Sequence, residues 1–193
     1  MHTQFIFALL SLLITFNLMG YEVMHEKTPV GEIKVLQLPA RTALEASSER
    51  SYFEENNGLF RTLFRYISKH DLSMTTPVEA DIKPGKMRFF VGNADAGKSR
   101  PNTSSVTVKN LQSTLVVAIG IRGSYSEENF EENRDKLEKW VEVNEKHQPS
   151  GTPAYGVYWD GPFTPWFLKR SEVHLPILPL PILSDSNQPT DNP

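Results

Sequence analysis

The chain has 193 residues, and its 20 lysines and arginines against 23 aspartates and glutamates leave a net charge of −3. A domain of this length buries about two-thirds of its unfolded surface, so one sizeable core is expected. The near-neutral charge argues against nucleic acid as a partner. The absence of cysteine excludes disulfides, thiolate metal ligands and a cysteine nucleophile.

The first twenty residues contain no Lys, Arg, Asp or Glu and include an apolar run at 5–16. A helix of that length spans about 18 Å, short of the roughly 30 Å hydrocarbon core. This favours a signal peptide over 1–20 and a periplasmic or secreted protein. The leader has no basic residue and a poor cleavage site at 17–20, so an uncleaved anchor or a buried apolar strand stays open. Membrane contact is expected only through an uncleaved leader.

Prolines 176, 179 and 181 punctuate the other end of the chain. Proline lacks an N–H and fixes its backbone, so the pattern predicts neither a central strand nor a helix there. Residues 179–193 are expected to form a disordered proline-rich tail, with a ligand for a proline-binding groove as the alternative. The folded domain is then 21–178.

The first half of this domain combines strands with one helix. Alternation over 21–25 predicts a half-buried strand, with Tyr21, Val23 and His25 on its inward face. Residues 32–46 are typical of a strand interrupted at Pro39, and the polar stretch 47–57 is expected to be a loop. A helix is predicted over 57–69, and its apolar face comprises Leu59, Phe60, Leu63, Phe64 and Ile67. The segments 74–82 and 87–91 should pair as a hairpin.

The second half repeats this order after a loop over 93–105. Strands are predicted at 106–108 and 115–121, and a capping box from Ser124 to Glu127 should open a helix that continues to about His147. Strands follow at 154–159 and 172–175. Two halves of the order strand, strand, helix, strand, strand indicate an α+β fold: a curved, barrel-like, mostly antiparallel sheet with two packed helices. The face between the halves is the default ligand site.

Four strings carry a resemblance to a known family, and they occur in the order Tyr21–His25, Phe60–Ile67, Leu72–Val78 and Pro162–Val173. Together they resemble the SOUL family of haem-binding proteins, with its Tyr-Glu start, Phe-x-x-Leu-x-x-Tyr-Ile, Met-Thr-x-Pro-Val and closing Glu-Val. The resemblance implies a duplicated α+β barrel related to ligand-binding domains of bacterial regulators. It also implies that haem or another tetrapyrrole is the cofactor.

The resemblance further implies that His25 is the axial metal ligand, although Met24 stands where the family has arginine. On the residues alone, a lone histidine on a strand face is more often a structural side chain than a metal ligand. Arg61 and Arg65 fall on one helical stripe and could meet the porphyrin propionates, or they form a solvated surface. The sequence thus leaves two roles open for each of these residues.

Met74 is a candidate haem contact or a gap-filler in the core. Trp166 lies in a proline-bounded loop, where it covers a cavity mouth or closes the core. The cofactor-binding candidates are therefore His25, Arg61, Arg65, Met74 and Trp166.

The sequence leaves three classes of function open. The first is an exported haem or tetrapyrrole carrier or buffer, whose partner is a small hydrophobic ligand. The second is a non-haem small-molecule-binding or scaffold module with the same fold. The third is a hydrolase that uses Glu172, but the chain contains none of the common catalytic motifs, so no enzyme is expected. The sequence gives no indication of oligomeric state.

Overall fold

The structure is a computed structural model and describes residues 21–161 and 163–180. Its helices are α1 (Tyr52–Lys69) and α2 (Glu127–Glu142), and single 3₁₀ turns cover Asn93–Asp95 and Trp166–Leu168. The strands are β1 (Glu22–Val23), β2 (Ile33–Leu38), β3 (Arg41–Ser48), β4 (Thr75–Thr76), β5 (Val78–Asp81), β6 (Gly85–Phe90), β7 (Thr107–Leu111), β8 (Thr114–Arg122), β9 (His147–Pro149), β10 (Tyr155–Tyr158) and β11 (Arg170–Pro179).

The large sheet confirms the duplicated α+β fold. Its strand order is β2-β8-β11-β10-β5-β6-β3-β7, every pairing is antiparallel, and the sheet curls into a half-barrel. The halves are β2-β3-α1-β5-β6 and β7-β8-α2-β10-β11, and they meet where β5 pairs with β10. The first strand of each half is exchanged: β2 pairs with β8, and β7 pairs with β3.

Both helices pack on one face of the sheet, here called the helix face. Leu63 of α1 lies in a core cluster with Leu44 and Phe89, while Leu137 of α2 packs with Val173. Because successive strand residues alternate between faces, the neighbours of these core residues point to the opposite side. That side carries no helix of the described chain and is called the open face.

Helix α1 begins five residues earlier than the sequence pattern predicts. Ser51 is its N-cap, and the Ser51 hydroxyl accepts from the Phe53 N–H at 3.3 Å. Glu54 closes a capping box by accepting from the Ser51 N–H. A polar first turn, which the pattern assigns to a loop, is thus stabilised by caps. Phe64, expected in the core, is 51% exposed and stacks on Phe60.

Helix α2 is shorter than predicted at both ends. Its N-cap is Ser126, which accepts from the Asn129 N–H at 3.3 Å, so the capping box at Ser124 is wrong. The helix ends at Glu142, and His147 instead opens β9, which pairs with β11. The buried stripe of α2 comprises Phe130, Leu137 and Val141, with Trp140 partly buried beside it.

Strand β11 contradicts the expectation that its prolines prevent a central strand. Pro176 pairs with Val116 of β8, and its carbonyl accepts from Ser150 on the other side. The N–H and C=O of one strand residue point to the same side of the strand. Pro176 therefore lacks an N–H only on the side away from β8, and β10 does not extend this far along β11. No bond of the central ladder is lost. Pro179 closes the strand, and the rest of the predicted tail, 181–193, lies outside the described residues together with the predicted signal peptide at 1–20.

The N-terminal segment also departs from the alternation pattern. Strand β1 has two residues and pairs in parallel with β4, while Tyr21 and Val23 are exposed rather than inward. Pro39 does not interrupt one strand but separates β2 and β3, which lie near opposite ends of the sheet order. Among the described residues no helix is long and apolar enough to cross a membrane.

Candidate functional site

A buried carboxylate organises the open face. Glu172 of β11 accepts from the Thr28 N–H at 2.9 Å and the Thr28 hydroxyl at 2.7 Å. It also accepts from the Trp159 Nε1–H at 2.7 Å and lies 2.9 Å from His174 Nε2. Burial raises the pKa of Glu172, but the hydrogen bonds from His174 and Thr28 outweigh it and bring the pKa below its ordinary value. The group is therefore an ionised carboxylate tied to the N-terminal segment.

His174 extends this network along the open face. Its Nε2 faces Glu172, and its Nδ1 lies 3.3 Å from the Tyr155 hydroxyl. Since the ionised Glu172 carboxylate can only accept, His174 donates its Nε2–H to Glu172, while Nδ1 is hydrogen-bonded to the Tyr155 hydroxyl. Burial raises the pKa of Tyr155 well above its ordinary value, so the phenol keeps its proton. The result is a buried chain of hydrogen bonds from Tyr155 through His174 to Glu172.

An open groove of about 630 Å³ begins at Tyr155. Its polar wall contains the buried ion pair of Arg41 with Glu79, at 2.6 Å, and the bidentate pair of Arg88 with Asp81. Its apolar wall is formed by leucine, isoleucine and proline side chains, namely Leu111, Leu115, Pro176, Ile177 and Leu178. The groove has the size of a small-molecule site and no net charge in its polar wall.

His25 lies at the other end of the open face. Its ring is 5.0 Å from that of Trp159 and 5.5 Å from that of His174. Nδ1 lies 2.9 Å from the Glu26 carbonyl, which can only accept, so Nδ1 carries the proton. Nε2 is buried and has no hydrogen-bond partner among the described residues. Burial lowers the pKa of His25 despite the hydrogen bond to Glu26, which leaves a neutral imidazole with a free lone pair.

The structure does not bring Arg61, Arg65 or Met74 together with His25. Both arginines are exposed on α1, and Arg61 donates to the Asn57 carbonyl of the same helix. Because α1 packs on the helix face, the sheet separates these cations from the open face. Met74 is half-buried and packs against the α1 core cluster, in keeping with the gap-filling alternative.

Trp166 belongs to an exposed apolar loop at the same end of the sheet as His25. The loop joins β10 to β11, and its aromatic loop residues, as they are called below, are Phe163, Trp166 and Phe167, exposed by 99%, 67% and 54%. The base of the loop is fixed by two hydrogen bonds. The backbone N–H of Trp159 donates to the Arg170 carbonyl, and Arg170 Nη2 donates to the Thr28 carbonyl. Trp166 therefore neither closes the core nor covers the large groove, which opens elsewhere.

Several residues of the open face carry no signal in the sequence alone. Thr28, Arg41 and Glu79 belong to no motif, and only the strand register brings them into one layer with Glu172. Tyr155 and Trp159 share a face by alternation, which could have indicated an unusual polar lining. Among the described residues, no group of three His, Asp or Glu side chains could hold a metal ion.

Comparisons with known proteins agree with this fold. The structure is similar to the crystal structure of the EcmrR C-terminal domain (TM-score 0.60, 13% identity, 77% of this chain and 98% of that one). It is also similar to a crystal structure titled a hydrolase from Listeria innocua (TM-score 0.52, 12% identity, 78% and 94%). At these identities the likeness concerns the fold alone. A search of the curated proteins returns no match. The family model described as SOUL heme-binding protein matches residues 18–176.

Proposed function

Because this chain belongs to the SOUL haem-binding protein family, we propose that it is an exported carrier or buffer of haem or a related tetrapyrrole, with His25 Nε2 as the iron ligand. The family description favours binding over catalysis. The proposal of export is based on the apolar run at 5–16. The proposed role as a carrier or buffer is based on the His25 imidazole as the one iron ligand from this chain.

The observation that carries the proposal is the state of the His25 ring. Nδ1 is fixed by the Glu26 carbonyl, while Nε2 is buried and has no partner in the part of the chain that the structure describes. A buried polar atom without a partner has a free-energy cost, so its retention needs an explanation. An axial imidazole uses this same arrangement, with one nitrogen held by a carbonyl and the other left for iron. Haem bound here would bring its iron already coordinated by the porphyrin, so His25 Nε2 would be the ligand that this chain adds.

The surroundings of His25 suit a flat apolar ligand. Trp159 provides an aromatic wall, and the aromatic loop residues offer further apolar surface at the same end of the sheet. The cations at this end include Lys27, Lys169 and Arg170, which could meet propionates in place of Arg61 and Arg65. Since Nε2 has almost no exposed surface, the loop or the N-terminal segment must move aside to admit the ligand.

The test is a haem titration followed at the Soret band. We expect saturable binding to the unmutated protein, and His25→Ala should weaken it and shift the absorption maximum. Added imidazole should restore the spectrum of His25→Ala by replacing the lost ligand. The matched control is His70→Ala. The Nε2 of His70 is also buried and has no partner within residues 21–161 and 163–180, but it lies at the C-terminus of α1.

Three outcomes would refute parts of this assignment. An unchanged spectrum and affinity in His25→Ala would mean that packing alone holds the porphyrin. Weaker binding in Arg61→Ala with no effect of His25→Ala would move the site to the helix face. Absence of saturable haem binding in the unmutated protein would remove the carrier function itself.

A second candidate function, binding of a non-haem small molecule, is favoured by the open groove beside Tyr155. The groove combines apolar side chains with fixed guanidinium and carboxylate groups, as small-molecule sites do. Thr152→Trp would fill the groove without touching His25. If this variant abolished haem binding while His25→Ala did not, the groove rather than the His25 site would hold the ligand.

A further inference from the structure

The aromatic loop residues form a concentrated apolar surface without cover from the described chain. Phe163 is 99% exposed, and Trp166 and Phe167 each show more than half of their surface. Leu168 adds a fourth large apolar side chain, 48% exposed. Single exposed apolar residues are ordinary, but four within six positions indicate a surface that meets an apolar partner.

The start of the described chain lies at the same end of the sheet. Val23 pairs with Thr76, and two residues further on Val78 pairs with Tyr158. Trp159 and the loop follow Tyr158 directly. The described chain therefore begins at the end of the sheet that carries the aromatic loop residues.

Basic side chains flank this apolar surface. Lys169 and Arg170 follow the loop, and Lys27 lies over the Trp159 ring with Nζ at 5.1 Å from its centroid. Arg170 and Arg122 are register partners on adjacent strands. Asp160, at the other end of the loop, directs its carboxylate inward to the Arg170 N–H at 2.6 Å. Aromatic residues bordered by cations are typical of surfaces that rest on anionic lipid.

We propose that this end of the half-barrel docks on an anionic lipid bilayer, with Phe163, Trp166 and Phe167 entering the interfacial region. Four exposed side chains on one short loop offer little area to a flat protein partner. Exposed tryptophan and phenylalanine suit the boundary between headgroups and acyl chains. The docking needs no bound haem, although it uses the end of the sheet where the haem site is proposed, and it departs from the expectation that only an uncleaved leader contacts membrane.

The experiment reads contact at Trp166 itself. Full-length, haem-free protein is mixed with vesicles of equal phosphatidylglycerol and phosphatidylcholine that carry brominated acyl chains, which quench tryptophan at short range. Subtracting the signal of Trp166→Phe isolates Trp166 from Trp140 and Trp159. We expect quenching of Trp166 that weakens as salt rises. This readout works even where the leader anchors the protein, since an anchored protein with its loop in water is not quenched at Trp166.

A matched pair of variants tests the surface. Phe167 and Phe64 are 54% and 51% exposed, and they lie on the loop and on α1 respectively. Phe167→Ser should weaken vesicle association about tenfold, as expected for one buried aromatic side chain, while Phe64→Ser should not change it. Equal signals in the parent and Trp166→Phe would overturn the proposal. So would equal losses in the two serine variants, or concentration-dependent self-association through the loop without lipid.

Discussion

Replacing Glu172 should separate the contribution of its charge from that of its hydrogen bonds. In Glu172→Ala the Thr28 N–H, the Thr28 hydroxyl, the Trp159 N–H and His174 lose their common acceptor. A buried donor left unpaired costs about 1–3 kcal/mol, so the loss should reach at least about 4 kcal/mol. Domains of this kind have a free energy of unfolding of about 5–15 kcal/mol, which leaves this variant near its limit.

Glu172→Gln should be much milder because the network can reverse. The glutamine oxygen can still accept from the Thr28 and Trp159 N–H groups, while its amide donates to the Thr28 hydroxyl and to His174 Nε2. His174 would then carry its proton on Nδ1 and donate to Tyr155. What remains is the exchange of charge-assisted for neutral hydrogen bonds, about 1–2 kcal/mol.

The same variant has a pH signature. The pKa of Glu172 is lower in the folded protein than in the unfolded chain, so its stabilisation is complete above about pH 4.3, the ordinary glutamate pKa. It is lost as pH falls through the folded pKa. The stability difference between the parent and Glu172→Gln should therefore shrink in acid.

Urea denaturation of the parent, Glu172→Gln and Glu172→Ala at pH 7 and below pH 4 measures both effects. The reasoning fails if Glu172→Ala costs less than about 1 kcal/mol at pH 7, because four buried donors would then have found other partners. It also fails if the difference between the parent and Glu172→Gln does not depend on pH.

Three further outcomes are expected. Ser51→Ala should lower the free energy of unfolding, measured by urea titration, by about 1 kcal/mol through loss of the α1 cap. The control is Ser105→Ala, which should change this free energy little because the Ser105 hydroxyl makes no hydrogen bond within the described residues. Burial lowers the pKa of His25 below 6.5, so stability should decline as pH falls from about 6.5 towards the folded pKa. A parallel titration of His25→Asn would contradict this if it kept the same slope. Intact-mass analysis of protein from the cell envelope should show loss of residues up to about Gly20, and full-length protein in the cytosol would end the export hypothesis.

The duplicated fold could be predicted because periodicity and turn residues record which faces are buried. The α1 start was missed because its first turn is polar, although Ser51 and Glu54 have the spacing of a capping box. Phe64 was assigned to the core because helical spacing identifies a stripe but not its width. These errors concern element ends and edges, where local pattern competes with tertiary packing.

The candidate site was less predictable because it depends on contacts distant in sequence. His25 could be identified from the opening strand, but its unpartnered Nε2 depends on the Glu26 carbonyl and on burial against Trp159. Arg61 has suitable chemistry for a propionate, yet only the packing of α1 reveals that it lies across the sheet. The sequence does not indicate which residue binds Glu172, because its partner Thr28 is 144 residues away.

The exchange of β2 and β7 has an evolutionary consequence. Each half lends its first strand to the sheet of the other, so neither half can complete its own set of strands. A single ancestral half would have needed a second copy and would have assembled as a strand-exchanged homodimer. Fusing the two copies replaced a concentration-dependent association with an intramolecular one, at the high effective concentration that a short linker provides. Joined halves can also diverge in sequence, and here His25 precedes the first half's strands while Glu172 lies in the second half's last strand.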